Sequence, residues 1–198
     1  MTYSKQVLPT KEIILNNLTE KAQQIRCLVL DLDGVLTDAG IYIHEDKTES
    51  RRFNIQDGFG IKILQNLGYE VAVITGSSSE IVAHRMAQLG IKRVYTNRIH
   101  KLEAFEDLKQ QLNMLDHEIA YMGDDYQDIV LLKKVGLSFA PANAIQAVKN
   151  IVDMCTQAVG GHGAVREVCE FFFQANHKTQ DIIEYFNNYP CQTLEKVY

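Results

Sequence analysis

Residues 25–38 read IRCLVLDLDGVLTD. A near-continuous apolar run stops abruptly at Asp31-Leu32-Asp33-Gly34. Such a run suits a strand covered on both faces, as in a parallel sheet. Alternation along a strand predicts Asp31 and Asp33 on one side, with Leu32 opposed. Similar runs occur at 71–75 (VAVIT) and 119–124 (IAYMGD), with shorter ones at 93–95 and 137–139. Between them, 60–67, 80–89, 102–112, 126–135 and 144–151 place apolar residues three and four apart, the helical spacing. Ser77–Ser79 and Asp125 read as N-caps, and Gly68, Gly90 and Gly136 as helix stops. Strand–helix alternation predicts an α/β fold with a doubly wound, mostly parallel sheet. One stretch breaks the rhythm. Residues 40–44 and 49–54, joined by the polar turn 45–48, read as an inserted β-hairpin at about 40–54. Residues 163–173 and 179–188 read as two more helices, the second inside a C-terminal helical tail of about 174–198. All of 1–198 is expected to form one domain.

Twenty Lys and Arg against twenty-five Asp and Glu give a net charge of −5. No basic field exists to hold a nucleic-acid backbone or an anionic membrane, so neither is expected as a partner. No segment approaches the roughly 20 apolar residues of a membrane helix. The first twenty residues carry scattered charges and no apolar core, so they do not read as a secretion signal. Cys27, Cys155, Cys169 and Cys191 show neither CxxC nor zinc spacing and read as reduced thiols. A cytoplasmic protein is expected.

Ligands of open parallel sheets bind at the carboxyl ends of the strands. There the sequence puts Asp31 and Asp33, Thr75-Gly76, and Gly123-Asp124-Asp125, with Lys101 at a helix start. Each feature alone is ordinary: a DxD is usually a turn, a lysine usually a solvated helix start. Their common position at one sheet edge is not. Converging Asp31, Asp33 and Asp124 carboxylates repel one another unless a cation sits among them. Oxygen donors without His or Cys favour Mg²⁺. Lys101 and Thr75 offer donors to phosphate oxygens. Together these are the parts for phosphoryl transfer through an aspartyl phosphate. Receiver domains use the same residue types but place the acidic pair early and the acceptor aspartate later, the reverse of the order here. Gly160-Gly161-His162-Gly163 reads as a tight turn before a helix.

DLDGVLTD (31–38), TG (75–76), Lys101 and GDD (123–125) resemble the four motifs of haloacid dehalogenase superfamily phosphatases. GIYI (40–43), FNIQDGFGIK (53–62) and GHGAVREVCEF (161–171) are similar to segments of the 3-deoxy-D-manno-octulosonate 8-phosphate (KDO 8-phosphate) phosphatase family within it. The resemblance spans about 25–173. It implies that Asp31 attacks phosphorus and binds Mg²⁺. Asp33 serves as acid and base and lends its backbone carbonyl to the metal. Asp124 is the second carboxylate ligand, and Asp125 orients the site. Thr75 and Lys101 hold the phosphoryl group, Lys101 also offsetting the charge of Asp31. Asn54, Gln56, Asp57, Gly58, Lys62, Ser77 and Arg85 face the substrate.

The implied reaction is hydrolysis of KDO 8-phosphate to KDO and phosphate, in lipopolysaccharide sugar biosynthesis. The alternative substrate is a related sugar acid such as 2-keto-3-deoxynononate 9-phosphate. The family often carries arginine at the positions of Lys62 and Ser77, so Arg51, Arg52, Arg85 and Arg98 are candidates for the missing carboxylate contact. Its members lack a large cap domain. The resemblance therefore implies a homotetramer in which hairpins pair into a central barrel, neighbouring subunits roof each active site, and the C-terminal tail reaches a neighbouring site. Apolar Ile41, Ile43 and Phe53 on a polar hairpin fit that arrangement.

Overall fold

The computed structural model describes residues 11–188. In chain order the elements are α1 (Lys11–Gln24), β1 (Cys27–Leu30), β2 (Tyr42–Ile43), β3 (Glu49–Ser50), α2 (Ile55–Asn66), β4 (Glu70–Ile74), α3 (Glu80–Leu89), β5 (Arg93–Tyr95), α4 (Lys101–Leu112), β6 (Ile119–Met122), α5 (Ile129–Leu132), β7 (Leu137–Ala140), α6 (Gln146–Lys149), β8 (Met154–Cys155), α7 (Ala164–Ala175) and α8 (Thr179–Asn187). Six strands form one sheet in the order β5-β4-β1-β6-β7-β8. Every neighbouring pair in it is parallel.

The unbroken apolar run of β1 is explained by its two faces. Leu28 and Leu30 join Val71, Val73, Ala120 and Met122 in a core completed by Ile61 and Leu64 of α2, Met86 of α3, and Val168 and Phe172 of α7. Cys27 and Val29 face the opposite way, with Ala72, Ile74, Ile119 and Tyr121, against Phe105 and Leu108 of α4. Truncating a side chain such as Leu28 to alanine costs about 2–5 kcal/mol in so closed a setting. Because β1 lies at the centre with β4 and β6 in level register, Leu30 is paired with both Val73 and Met122. The residues that follow these three strands therefore emerge side by side.

The predicted doubly wound architecture is present. Several details differ. α2 starts at Ile55 rather than 60, because Asn54 caps it, its side chain accepting from the Gln56 and Asp57 amides. The glycines inside α2 are contacts rather than breaks: a Cβ at Gly60 would lie 3.0 Å from Arg166 and 3.2 Å from Cys169 on α7. The expected helix 126–135 is a 3₁₀ turn (Tyr126–Asp128) followed by the single turn α5. Gly136 therefore caps no helix; its N–H donates to Asp116 and Ile119 carbonyls. The 144–151 helix shrinks to α6. Ser79 stands at the N-cap of α3 without a side-chain cap bond, whereas Gly90 ends that helix in the left-handed conformation. α1 and the edge strand β8 are additions, the latter too short to leave a pattern.

The hairpin exists as β2 paired antiparallel with β3, Tyr42 opposite Ser50 and Ile43 opposite Glu49. A bridge between Thr37 and Phe53 fastens its base to the chain that follows β1. Between these pairings, residues 38–41 on one side face only 51–52 on the other, a bulge of two residues. Ala39, at φ 62°, takes up part of that bend. Phe53 packs on the domain's own core, but Ile41, Tyr42 and Ile43 are exposed, Ile43 at 79%. Residues 189–198, including Cys191, lie outside the described residues.

Candidate active site

Asp31 is the first residue beyond β1, and its N–H still donates to the Met122 carbonyl of β6 at 3.0 Å. Its carboxylate is buried, with Oδ1 2.7 Å from the Nζ of Lys101. Lys101 opens α4 and is itself fully buried. Its other two protons go to Asp128 Oδ1 at 2.5 Å and to the Tyr121 hydroxyl at 3.2 Å. Tyr121 in turn donates to Asp128 Oδ1 at 2.6 Å. The second oxygen of Asp128 accepts from the amides of Asp124 and Asp125 at 2.9 and 3.1 Å. Asp128 thus fills its hydrogen-bonding capacity while fixing both the lysine and the turn that carries Asp124.

Asp31, Asp124 and Asp128 each bring a carboxylate oxygen within 4.8 Å of the others. The third member of this cluster is Asp128, not the expected Asp33. β1 ends at Leu30, and the amides of Val35, Leu36 and Thr37 then converge on the Leu32 carbonyl. The chain turns there, so strand alternation does not carry through to Asp33. Gly34 makes room for the cluster. It stands at φ +90°, and a Cβ on it would fall 2.1 Å from Asp124 Oδ2.

Three acids and one lysine leave a net negative charge in a poorly hydrated place. Burial, outweighing Lys101 and aided by Asp128, pushes the Asp31 carboxyl up to about 8. Burial, with Asp128 and Asp125, raises Asp124 to about 7. Burial opposes the charge on Lys101, but Asp31 and Asp128 outweigh it and raise its pKa. Asp31 Oδ2 and Asp124 Oδ1 are buried without a hydrogen-bond partner. Two orphaned carboxylate oxygens, with only oxygen donors about them, fit a hard divalent cation.

The other predicted residues separate into groups. Thr75, buried at the end of β4, shares the sheet edge, and its Oγ1 accepts from the Ser77 amide at 3.0 Å. Asp33 is about a third exposed and stands beside Arg51, with Oδ1 3.2 Å from Arg51 Nε. Asp125 is exposed and caps its own turn at the Tyr126 amide. The side-chain bonds to Lys101 and to the Asp124 and Asp125 amides come from Asp128. Asn54 is spent on capping α2. Asp57 is buried and ties α2 to the start of α7, accepting from the Gly163 and Arg166 amides at 3.3 and 2.8 Å. Gln56 is exposed on the first turn of α2. Gly58, Lys62 and Arg85 do come together, lining a cavity of about 330 Å³ with Ile55, Phe59 and Leu89.

Among the arginines, Arg51 is engaged with Glu49 and Asp33. Arg52 donates to the Gly161 carbonyl and contacts His162. Arg85 meets only the Gln88 side-chain oxygen at 3.3 Å and the Phe53 ring, with no carboxylate partner among the described residues. Burial lowers its pKa. Asp128 is a further site residue, and its spacing of four from Asp124 is the one signal of it in the sequence. Tyr121 carried none, because it reads as one more core residue of β6.

Comparison with known proteins identifies the relatives of this chain. Residues 88–168 match the model of the haloacid dehalogenase-like hydrolases. The chain is 42% identical over 161 residues to the 3-deoxy-D-manno-octulosonate 8-phosphate phosphatase KdsC of Escherichia coli K12, covering 81% of this chain and 86% of that one. A hydrolase structure from Legionella pneumophila, described as a subfamily IIIA member of that superfamily, superposes with a TM-score of 0.85 at 42% identity, over 89% of this chain and 98% of the other. The Moraxella catarrhalis KDO 8-phosphate phosphatase, solved with magnesium, phosphate and KDO, superposes with a TM-score of 0.84 at 34% identity, over 86% and 98%.

Proposed function

The chain belongs to the KDO 8-phosphate phosphatase family of haloacid dehalogenase-like hydrolases, and from this we propose that it hydrolyses KDO 8-phosphate to KDO and phosphate. The observation that carries the chemistry is the buried Asp31–Lys101 pair beside two partnerless carboxylate oxygens. Asp31 attacks phosphorus, the bond to the sugar oxygen breaks, and Asp33 protonates the departing oxygen. Asp33 then takes a proton from the water that attacks the aspartyl phosphate, releasing phosphate and restoring Asp31. Lys101, with all three protons committed within the protein, offsets the charge of Asp31 and holds its orientation. Thr75, at the same edge, faces the phosphoryl oxygens.

Mg²⁺ is the metal of this reading, held by Asp31, Asp124 and the Asp33 carbonyl, and it supplies positive charge to the phosphoryl oxygens. Its presence keeps Asp31 and Asp124 ionised where burial alone favours their protonation.

The sugar-acid carboxylate is assigned to Arg85 with Lys62. Both line the same cavity, and Arg85 has no competing carboxylate among the described residues, whereas Arg51 and Arg52 are occupied. The exposed Ile41, Tyr42 and Ile43 support assembly into a homotetramer through the hairpins. A cytoplasmic role in lipopolysaccharide sugar synthesis follows from the same reading. Ser77 and Lys62, where relatives often hold arginine, favour a test against a second substrate. Phosphate release with Mg²⁺ is to be measured on KDO 8-phosphate, 2-keto-3-deoxynononate 9-phosphate and an aryl phosphate. Preference for the first sustains the assignment; preference for the second replaces the substrate and keeps the chemistry.

A further inference from the structure

Arg51 lies on the hairpin, outside every motif of the sequence, yet its side chain is only 5% exposed. Its Nη1 donates to Glu49 Oε1 at 2.8 Å, and its Nε stands 3.2 Å from Asp33 Oδ1, a charge contact without hydrogen-bond geometry. The Thr37–Phe53 bridge and the bulge beside it bring this side chain back over the turn that follows β1. Thr37 Oγ1 approaches the same Asp33 oxygen at 3.4 Å. Both contacts fall on Oδ1; none of the described residues hydrogen-bonds Oδ2.

We infer that Arg51, anchored at its far end by Glu49, is a positioning residue that clamps Asp33 by Oδ1 and leaves Oδ2 as the oxygen that passes the proton. The inference rests on the proposed role of Asp33 as acid. In the step concerned, a bond forms between Asp31 and phosphorus and the phosphorus–sugar oxygen bond breaks. The electron pair of that bond stays on the sugar oxygen, which takes the proton from Asp33 Oδ2. An aspartate free to rotate offers either oxygen in many orientations; a clamped one offers a single geometry. The hairpin in this view does more than join subunits: it aims the acid.

The test uses leaving groups. A sugar oxygen needs a proton to depart, whereas 4-nitrophenolate does not, so kcat/KM on the two esters separates loss of the acid from general damage. Arg51→Met removes the clamp without stranding a buried charge, because Glu49 and Asp33 are each about a third exposed. It is expected to lower kcat/KM for KDO 8-phosphate roughly ten-fold or more, and that for 4-nitrophenyl phosphate less than about three-fold. Arg51→Lys recovers part of the loss, and Glu49→Gln gives a smaller skew of the same sign. Asp33→Asn serves as the reference and shows the largest skew. Equal losses on both esters, or none, in Arg51→Met while Asp33→Asn is skewed overturn the inference. An unskewed Asp33→Asn overturns the reading of Asp33 itself, and the inference with it. If Arg51→Met fails to keep the wild-type circular dichroism and mass, Arg51→Lys and Glu49→Gln decide by the same criterion.

Discussion

The sheet edge and the side cavity make opposite use of charge. At the edge, Lys101, Asp31, Asp128 and Tyr121 are buried and bonded to one another. At the cavity, Lys62 and Arg85 carry charge without a carboxylate partner among the described residues. The first arrangement sets its groups before a substrate arrives, in a medium where electrostatic interactions are strong. The second holds binding capacity in reserve for an anion. In the proposed reading, chemistry shared by all phosphate esters belongs in the fixed region, and choice among sugar acids in the open one.

Replacing Lys101 by methionine breaks the fixed region most severely. It leaves two buried carboxylates facing each other, expected to cost about 3–5 kcal/mol in denaturant unfolding. Phosphate release should fall by roughly 10³-fold on every ester. Asp128→Asn keeps shape but weakens the hold on Lys101 and on the Asp124 turn. It is expected to reduce kcat about 10²-fold with little change in KM, again for all esters. Arg85→Met does the reverse: KM for the sugar-acid phosphate rises about ten-fold or more, and hydrolysis of 4-nitrophenyl phosphate stays unchanged. A uniform loss in that variant would merge the two regions into one.

The pH dependence sharpens the contrast. Asp31 and Asp124 are raised to about 8 and 7 in the folded chain. In the range from their ordinary values near 4 to these raised ones, the folded state binds more protons than the unfolded. Metal-free protein therefore loses stability as pH rises across that interval. Mg²⁺ should raise the melting temperature more at pH 8 than at pH 6, and Asp124→Asn should shrink the difference. The smallest effect belongs to the hairpin tip. Ile43→Lys should change unfolding free energy by less than about 0.5 kcal/mol while lowering the mass seen by analytical ultracentrifugation.

How much was legible in the sequence follows from reach along the chain. Asp31, Thr75, Asp124 and Lys101 each stand at the end or start of an element, where local pattern marks them. Asp128 acts in space on Lys101, 27 residues away, and Tyr121 is disguised by a strand that is apolar throughout. Asp33 is not part of the carboxylate cluster, because β1 ends at Leu30 and the chain turns before it. Asp57 resembled a substrate contact, but its partners are amides of α7, more than a hundred residues distant. β8 escaped because two residues carry no period.

The bulge at the hairpin base sets which length changes this chain can absorb. Residues added or removed at the tip, 44–48, lie beyond the last paired residues and leave the Thr37–Phe53 bridge in place. One residue added at 51–52 shifts that strand by an odd step between Ser50 and Phe53 and turns Arg51 to the opposite face. The hairpin is thus free to vary at its outer end, where the proposed assembly would form. At its inner end it is as intolerant of insertion and deletion as the aspartates it overlies.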